Sequence, residues 1–265
     1  DGVYKVFTAP TSGIHTGSYY ARTRTGAAVN VKAAISGVTA PTVTLPADGT
    51  WVRVVGGQSN LGAGSKLLTV RSAGGSMDID VWGLQAELGT FPTSFIPTSG
   101  SAVTRAADIA TIGGTNFSSW YNQSEGTVFA DFDLIGHTTA DTFIFGLNVG
   151  DTLTGKGLQI DTSTTGPVKL YISDGAAARP IIGALGGANT PSKATYAYSS
   201  SGIYGSLDGG VVAGRALGGA LPVENTLHIG RLGGLPALYS QYGHISRFTY
   251  YPYRLSDTIL QEITS

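Results

Sequence analysis

Apolar and polar positions alternate with a period of two along most of this chain. Val29, Val31, Ala33 and Ile35 alternate with Asn30, Lys32 and Ala34, the pattern of a strand with one dry and one wet face. Residues 50–55 follow an Asp48-Gly49 turn, and residues 66–71 follow a Gly-rich loop. Met77, Ile79 and Val81 alternate with Asp78 and Asp80, and the apolar set then changes parity at Trp82, Leu84 and Ala86. Either a β-bulge or a strand buried on both faces produces such a change.

Between about Gly89 and Gly114 the alternation stops. Pro92, Pro97 and a run of Thr, Ser and Gly predict an extended connector, because proline disfavours helix in the residue before it. The expected domain boundary lies near Ser99, giving domains 1–98 and 99–265. Beyond it, Val128, Ala130, Phe132 and Leu134 form one strand face, with Thr127, Asp131 and Asp133 on a solvated one. Phe143, Phe145, Leu147 and Val149 give a second strand, and Val168, Leu170 and Ile172 a third. Ile203, Gly205 and Leu207 run into an Asp208-Gly209 turn; Leu227, Ile229 and residues 245–251 supply later strands. Ser256 caps a short C-terminal helix, stapled by Leu255 and Leu260. The predicted fold is all-β: two antiparallel β-sandwiches of jelly-roll type in tandem, closed by that helix.

Composition agrees with this pattern and removes several functions. The chain carries 39 Gly in 265 residues, with 42% hydrophobic and only 12% charged residues, which suits short strands and many tight turns. Net charge is −1 with no basic block, so the counterion-releasing footprint of a nucleic-acid binder is missing. No apolar run approaches the roughly 20 residues that span a bilayer. Without cysteine there are no disulfides and no thiolate zinc sites. Asp1 in place of Met, with a strand pattern already under way by Val3, points to a chain that begins inside a longer polypeptide.

Two stretches resemble a known family. Residues 81–89, Val-Trp-Gly-Leu-Gln-Ala-Glu-Leu-Gly, continue through Phe91-Pro92-Thr93-Ser94-Phe95-Ile96-Pro97-Thr98 to Val103-Thr104-Arg105-Ala106-Ala107-Asp108. This resembles a junction in tailed-phage virion proteins, where a carbohydrate-binding-module-like jelly roll meets a laminin-G/concanavalin-like domain. Gly49-Thr50-Trp51-Val52-Arg53-Val54 is similar to the central strand of such jelly rolls. Leu227-His228-Ile229-Gly230, Gly243-His244-Ile245 and Tyr250-Tyr251-Pro252-Tyr253-Arg254-Leu255-Ser256 are similar to the closing strands and helix of concanavalin-like lectins. The resemblance implies a tail fibre or head fibre on the virion surface, and residues 1–95 are short for a complete jelly roll of this kind. Related jelly rolls carry calcium near their last strand, where Asp78 and Asp80 stand here, but no EF-hand-like loop is present; a solvated strand face and no cofactor is the expectation, with calcium the alternative.

Glycan binding needs flat aromatic faces for pyranose rings and planar polar groups for hydroxyls. Trp120, Tyr121, Tyr239 and Tyr242 are the candidate rings and Arg231 the candidate polar group; Tyr196, Tyr198, Tyr204 and Arg215 are secondary. Trp51 and Trp82, inside strand motifs, are expected in the core. No catalytic centre is expected. Glu87, Glu125, Glu224 and Glu262 stand apart, with no paired-carboxylate strand motif and no Gly-x-Ser-x-Gly elbow, and His15, His137, His228 and His244 stand singly. The expected partners are host-surface polysaccharide and other virion proteins, with no nucleic acid and no membrane insertion. A homotrimer is expected, since weak single sites adhere only through avidity and the surface is poorly charged, with mean hydropathy +0.11. A decoration or collar protein without ligand is the alternative; a polysaccharide-degrading enzyme ranks third.

Overall fold

The computed structural model describes all residues except 1, 10, 37, 39, 40, 106, 107, 137–140, 161–165, 188, 189 and 236–239. The chain is all-β and divides into two compact units, Asp1–Arg105 and Ala106–Ser265. Its strand ladders are antiparallel. Among the described residues no helix is long and apolar enough to cross a membrane.

The first unit contains β1 (Gly2–Ala9), β2 (Gly13–Thr23), β3 (Val29–Ile35), β4 (Val43–Leu45), β5 (Val52–Leu61), β6 (Gly64–Ser72) and β7 (Ile79–Leu88). They form a four-stranded sheet, β1-β6-β3-β4, and a three-stranded sheet, β5-β2-β7. Tyr19, Ala21 and Val54 from one sheet meet Val31, Ala33, Leu45 and Val70 from the other in a single buried core. The parity change in β7 is a bulge. Tyr20 pairs with Trp82 but Ser18 with Gln85, so Gly83 and Leu84 together oppose one residue of β2. Gly83 takes the left-handed φ of 64° that such a bulge requires. Val81 and Leu84 both pack on the core, while Trp82, between them, turns outward.

The second unit contains β8 (Ala110–Gly113), α1 (Thr115–Ser118), β9 (Gly126–Gly136), β10 (Thr142–Asn148), β11 (Gly155–Ile160), β12 (Pro167–Ile172), β13 (Ile181–Ala184), β14 (Ser192–Ser199), β15 (Gly202–Gly205), β16 (Ala213–Arg215), β17 (Thr226–Ile229), β18 (Tyr242–Tyr251) and α2 (Asp257–Thr264). A six-stranded sheet, β13-β12-β11-β10-β17-β8, packs on a five-stranded one, β16-β15-β14-β9-β18. The inward faces read from sequence line the core: Val128, Ala130, Phe132 and Leu134, with Phe145, Leu147, Val168, Leu170 and Ile172. Thr127 is a correction. It is buried, because its hydroxyl donates to Tyr253 O at 3.0 Å and accepts from Leu255 N at 3.0 Å, binding the C-terminal segment to β9. Ser256 caps α2, and Leu255 and Leu260 meet in a small apolar cluster with Ala197 of β14. Asp208 and Gly209 both take positive φ, as a type I′ turn demands.

Inside this core lies an ion pair. Lys156 Nζ donates to Glu224 Oε1 at 2.5 Å, and both side chains are fully buried. Tyr121 donates its hydroxyl to Glu224 Oε2 at 2.9 Å, and Lys156 Nζ sits 4.3 Å from the centre of the Tyr198 ring. Burial pushes the Lys156 ammonium down and the Glu224 carboxyl up, and each offsets part of the other's shift. A glutamate read as isolated is therefore wired into the core. Removing one partner strands a buried charge, whereas replacing both by apolar groups does not. Glu224→Leu alone is expected to destabilise the second unit by about 3–5 kcal/mol, and Lys156→Met with Glu224→Leu to recover most of that loss in urea unfolding.

Candidate functional site

The outer face of the β5-β2-β7 sheet carries rings that a monomeric fold gains nothing by exposing. Alternation along β5 and the residue before it turns Val52 and Val54 inward and Trp51 and Arg53 outward. On β2, Tyr19 and Ala21 face the core and Tyr20 and Arg22 face out. Strand register sets these side chains in rows. Arg53, Tyr20 and Trp82 lie opposite one another, and Arg22 pairs with Asp80 in the next row.

Trp51 and Trp82 are thus not in the core, as their strand motifs had predicted, but 43% and 53% exposed. The physical reason is parity. Trp51 precedes an inward Val52, and the bulge at Gly83 delays the switch in β7 by one residue beyond Trp82. Tyr20 and Trp82 lie 5.2 Å apart between ring centres, and Trp82 and Phe95 4.7 Å, with the ring planes tilted by 49° and 48°. A Cβ at residue 83 would come within 3.3 Å of both Phe95 and Tyr20, so glycine also leaves room for the stack. Tyr20, Trp51 and Trp82 line an open cleft of about 430 Å³. The Arg22 guanidinium lies 4.9 Å from the Trp51 ring centre, and that of Arg53 5.5 Å from Tyr20.

Phe95 arrives from the connector, which is fastened to this face. Arg53 Nη2 donates to Thr93 O at 2.5 Å, and Gln58 Nε2 to Thr90 O at 2.6 Å. Gln85 accepts from Ile96 N at 2.8 Å and donates to Ser94 O at 3.3 Å. Glu87 accepts from Thr93 N at 2.9 Å and from the Thr93 hydroxyl. Residues 90–96 are therefore a fixed strap, while 97–105 are exposed.

The candidates named from sequence lie elsewhere. Tyr121 is buried against Glu224, so its ring is not open to a ligand. Trp120 is half-buried among Phe117, Tyr121 and Tyr250, with its indole N–H donated to Asn116 O at 2.6 Å. Arg231 pairs with Asp151. Tyr242, half-buried at the start of β18, has its phenol pushed up by burial. Tyr239 and His137 lie outside the described residues. Tyr196 and Tyr198 are core residues, and Arg215 holds Asp174 through two contacts of 2.7 and 2.8 Å. His228 is buried, which pushes its imidazole down, and contacts Thr111 Oγ1 at 3.1 Å. The sequence signal for this cluster was the outward register of Trp51, Arg53, Tyr20 and Arg22. It was overridden by the usual placement of Trp inside strands.

Asp78 and Asp80 do face a cation, but it is arginine. Arg22 Nε donates to Asp80 at 2.9 Å, and Arg24 lies 3.6 Å from Asp80 and 3.7 Å from Asp78. Calcium needs six to eight oxygen ligands, and two carboxylates already shared with guanidinium groups fit it poorly. Among the described residues no group of three or more acidic or histidine side chains could hold a metal.

Neither a protein-family model nor a curated protein matches the chain. Among solved structures it is similar to the CBM40 module of Ruminococcus gnavus IT-sialidase bound to α2,6-sialyllactose, at 14% identity over 56% of this chain and 87% of that one, TM-score 0.46. A heptameric SAP-like pentraxin from Limulus polyphemus matches at 13% identity over 53% and 70% of the two chains, TM-score 0.43. The NanB sialidase of Streptococcus pneumoniae matches at 14% identity over 58% of this chain, TM-score 0.42, and this chain spans only 26% of its length. These are likenesses of fold.

The strap makes a prediction about cleavage. A non-specific protease at low dose is expected to cut first within residues 97–105, leaving Phe95 on the N-terminal product. Arg53→Ala is expected to open residues 90–96 to the same enzyme, read by mass spectrometry of the fragments. First cuts at 90–96 in the unaltered chain would contradict the strap.

Proposed function

We propose that this chain is a non-catalytic glycan-binding protein whose ligand lies on the ledge of Tyr20, Trp51, Trp82 and Phe95. The ledge itself carries the reading. Four rings on one sheet face, two of them tryptophans about half exposed, offer apolar planes that only a bound partner would remove from water. A pyranose has apolar C–H faces that cover such planes and equatorial hydroxyls that reach groups at their rim. Here the rim supplies Arg22 as donor and Asp80 as acceptor.

The absence of catalysis is supported by how three of the four glutamates are used. Glu87 holds Thr93, Glu125 accepts from Arg254 N at 3.2 Å, and Glu224 is paired in the core. The setting we propose is a virion fibre that adheres to host-surface polysaccharide, supported by the phage-like junction at residues 81–108. Each ledge would bind weakly, and three copies in a closed homotrimer would raise avidity without new contacts.

The test is affinity electrophoresis through host-surface polysaccharides, with light scattering of the same sample to read the copy number. Trp82→Ala and Trp51→Ala are each expected to weaken retardation about tenfold, the scale of uncovering much of one indole. Trp120→Phe should leave it unchanged. Binding untouched by both ledge variants would remove the ledge from the account, and a monomer would remove the avidity argument.

A further inference from the structure

The ion pairs bordering the ledge say what kind of glycan it takes. We infer that Asp80 makes the ledge select uncharged glycans, by sharing its carboxylate with Arg22 and Arg24, which would otherwise draw carboxylated sugars; this rests on the glycan-binding reading above.

An acidic sugar is recognised by a guanidinium whose fork is free to meet a carboxylate. Each arginine around these rings already has part of its guanidinium engaged by this chain. Arg22 donates through Nε to Asp80 Oδ2 at 2.9 Å while its plane lies over Trp51. Arg24, just past the end of β2, sits between Asp78 and Asp80 at 3.7 and 3.6 Å. Arg53 spends Nη2 on Ser18 Oγ at 3.0 Å and on the carbonyl of Thr93. Arg105 donates to Ser94, the neighbour of Phe95. A ligand carboxylate arriving beside Trp51 would have to share Arg22 and Arg24 with Asp80, whose side chain is 37% exposed beside theirs at 44% and 60%. The repulsion from Asp80 offsets part of the attraction to those two guanidinium groups.

A neutral sugar meets the opposite situation. Each hydroxyl both donates and accepts. The Arg22–Asp80 pair presents guanidinium N–H donors and carboxylate acceptors side by side, next to the rings. Such a rim satisfies hydroxyls without needing to be broken. Because a neutral sugar brings no net charge, binding should depend little on ionic strength, whereas a carboxylate-reading site weakens as salt screens it.

The variant that isolates this role is Asp80→Asn, which keeps size and hydrogen bonding but frees Arg22 and Arg24 from their shared carboxylate. The experiment is isothermal titration of the whole chain with neutral hexasaccharides of glucose, mannose and galactose. A galacturonate hexasaccharide and sialyllactose form the acidic arm, each measured at low salt and in about 1 M salt. The expected result is at least about tenfold preference for a neutral hexasaccharide, little changed by salt, and lost with Trp82→Ala. Asp80→Asn is expected to tighten the acidic ligands several-fold, in a salt-sensitive way, while neutral binding falls less. An unaltered chain that prefers the acidic ligands overturns the selectivity and leaves the glycan-binding ledge standing. So does an Asp80→Asn chain whose acidic affinity does not move. Failure of every sugar to bind overturns both.

Discussion

The first unit depends on one backbone constraint, the left-handed residue at Gly83. A strand that packs one face on a core must keep its apolar side chains in phase. Without the bulge, Trp82 and Leu84 would share a face, and one of them would be misplaced. The extra residue lets Val81 and Leu84 both reach the core while Trp82 points away from it. Because residue 83 has no Cβ, Phe95 and Tyr20 can close in on either side of that indole. Core packing, the outward ledge and the anchoring of the connector thus meet at a single position.

The second unit is built on a larger core. Two full sheets bury a large aromatic and aliphatic core, and its secondary glycan candidates Tyr196 and Tyr198 are structural members of that core. Its unusual element is the Lys156–Glu224 pair with Tyr121, which fixes β11 against the segment leading into β17. Such a pair contributes less to stability than apolar packing of the same volume. What it does provide is a unique set of partners for groups that would otherwise be orphaned in the dry interior.

Much of the fold was legible in the sequence because half-buried strands advertise themselves by period two. Val29 to Ile35, Val128 to Leu134 and the capped C-terminal helix all stand where alternation and Ser256 place them. β10 shows its alternation through Phe143, Phe145 and Leu147, whereas β11, buried along its whole length, was harder to read. In β11, Lys156 and Gln159 sit where an apolar pattern would be expected. The ring cluster on the β5-β2-β7 face was legible only in its parts. Trp51 and Trp82 were recognised as strand residues, and the pull of indole toward a core outweighed the register that turns them out. The rings named from sequence, Trp120 and Tyr121, stand at the entrance to the second domain. The fold draws them in, because Glu224, about a hundred residues away, supplies Tyr121 with a buried acceptor. No local pattern announces a contact of that range.

The central claim is that ligand lies on the indoles of Trp51 and Trp82, and these indoles can report on it directly. In a Trp120→Phe chain they are the only tryptophans left, since the sequence has three. Fluorescence titration of that variant with a bound neutral polysaccharide should give a saturable blue shift, as both exposed rings leave water. Its midpoint should match the calorimetric affinity. Saturating binding with an unchanged tryptophan spectrum would place the ligand elsewhere and contradict the account.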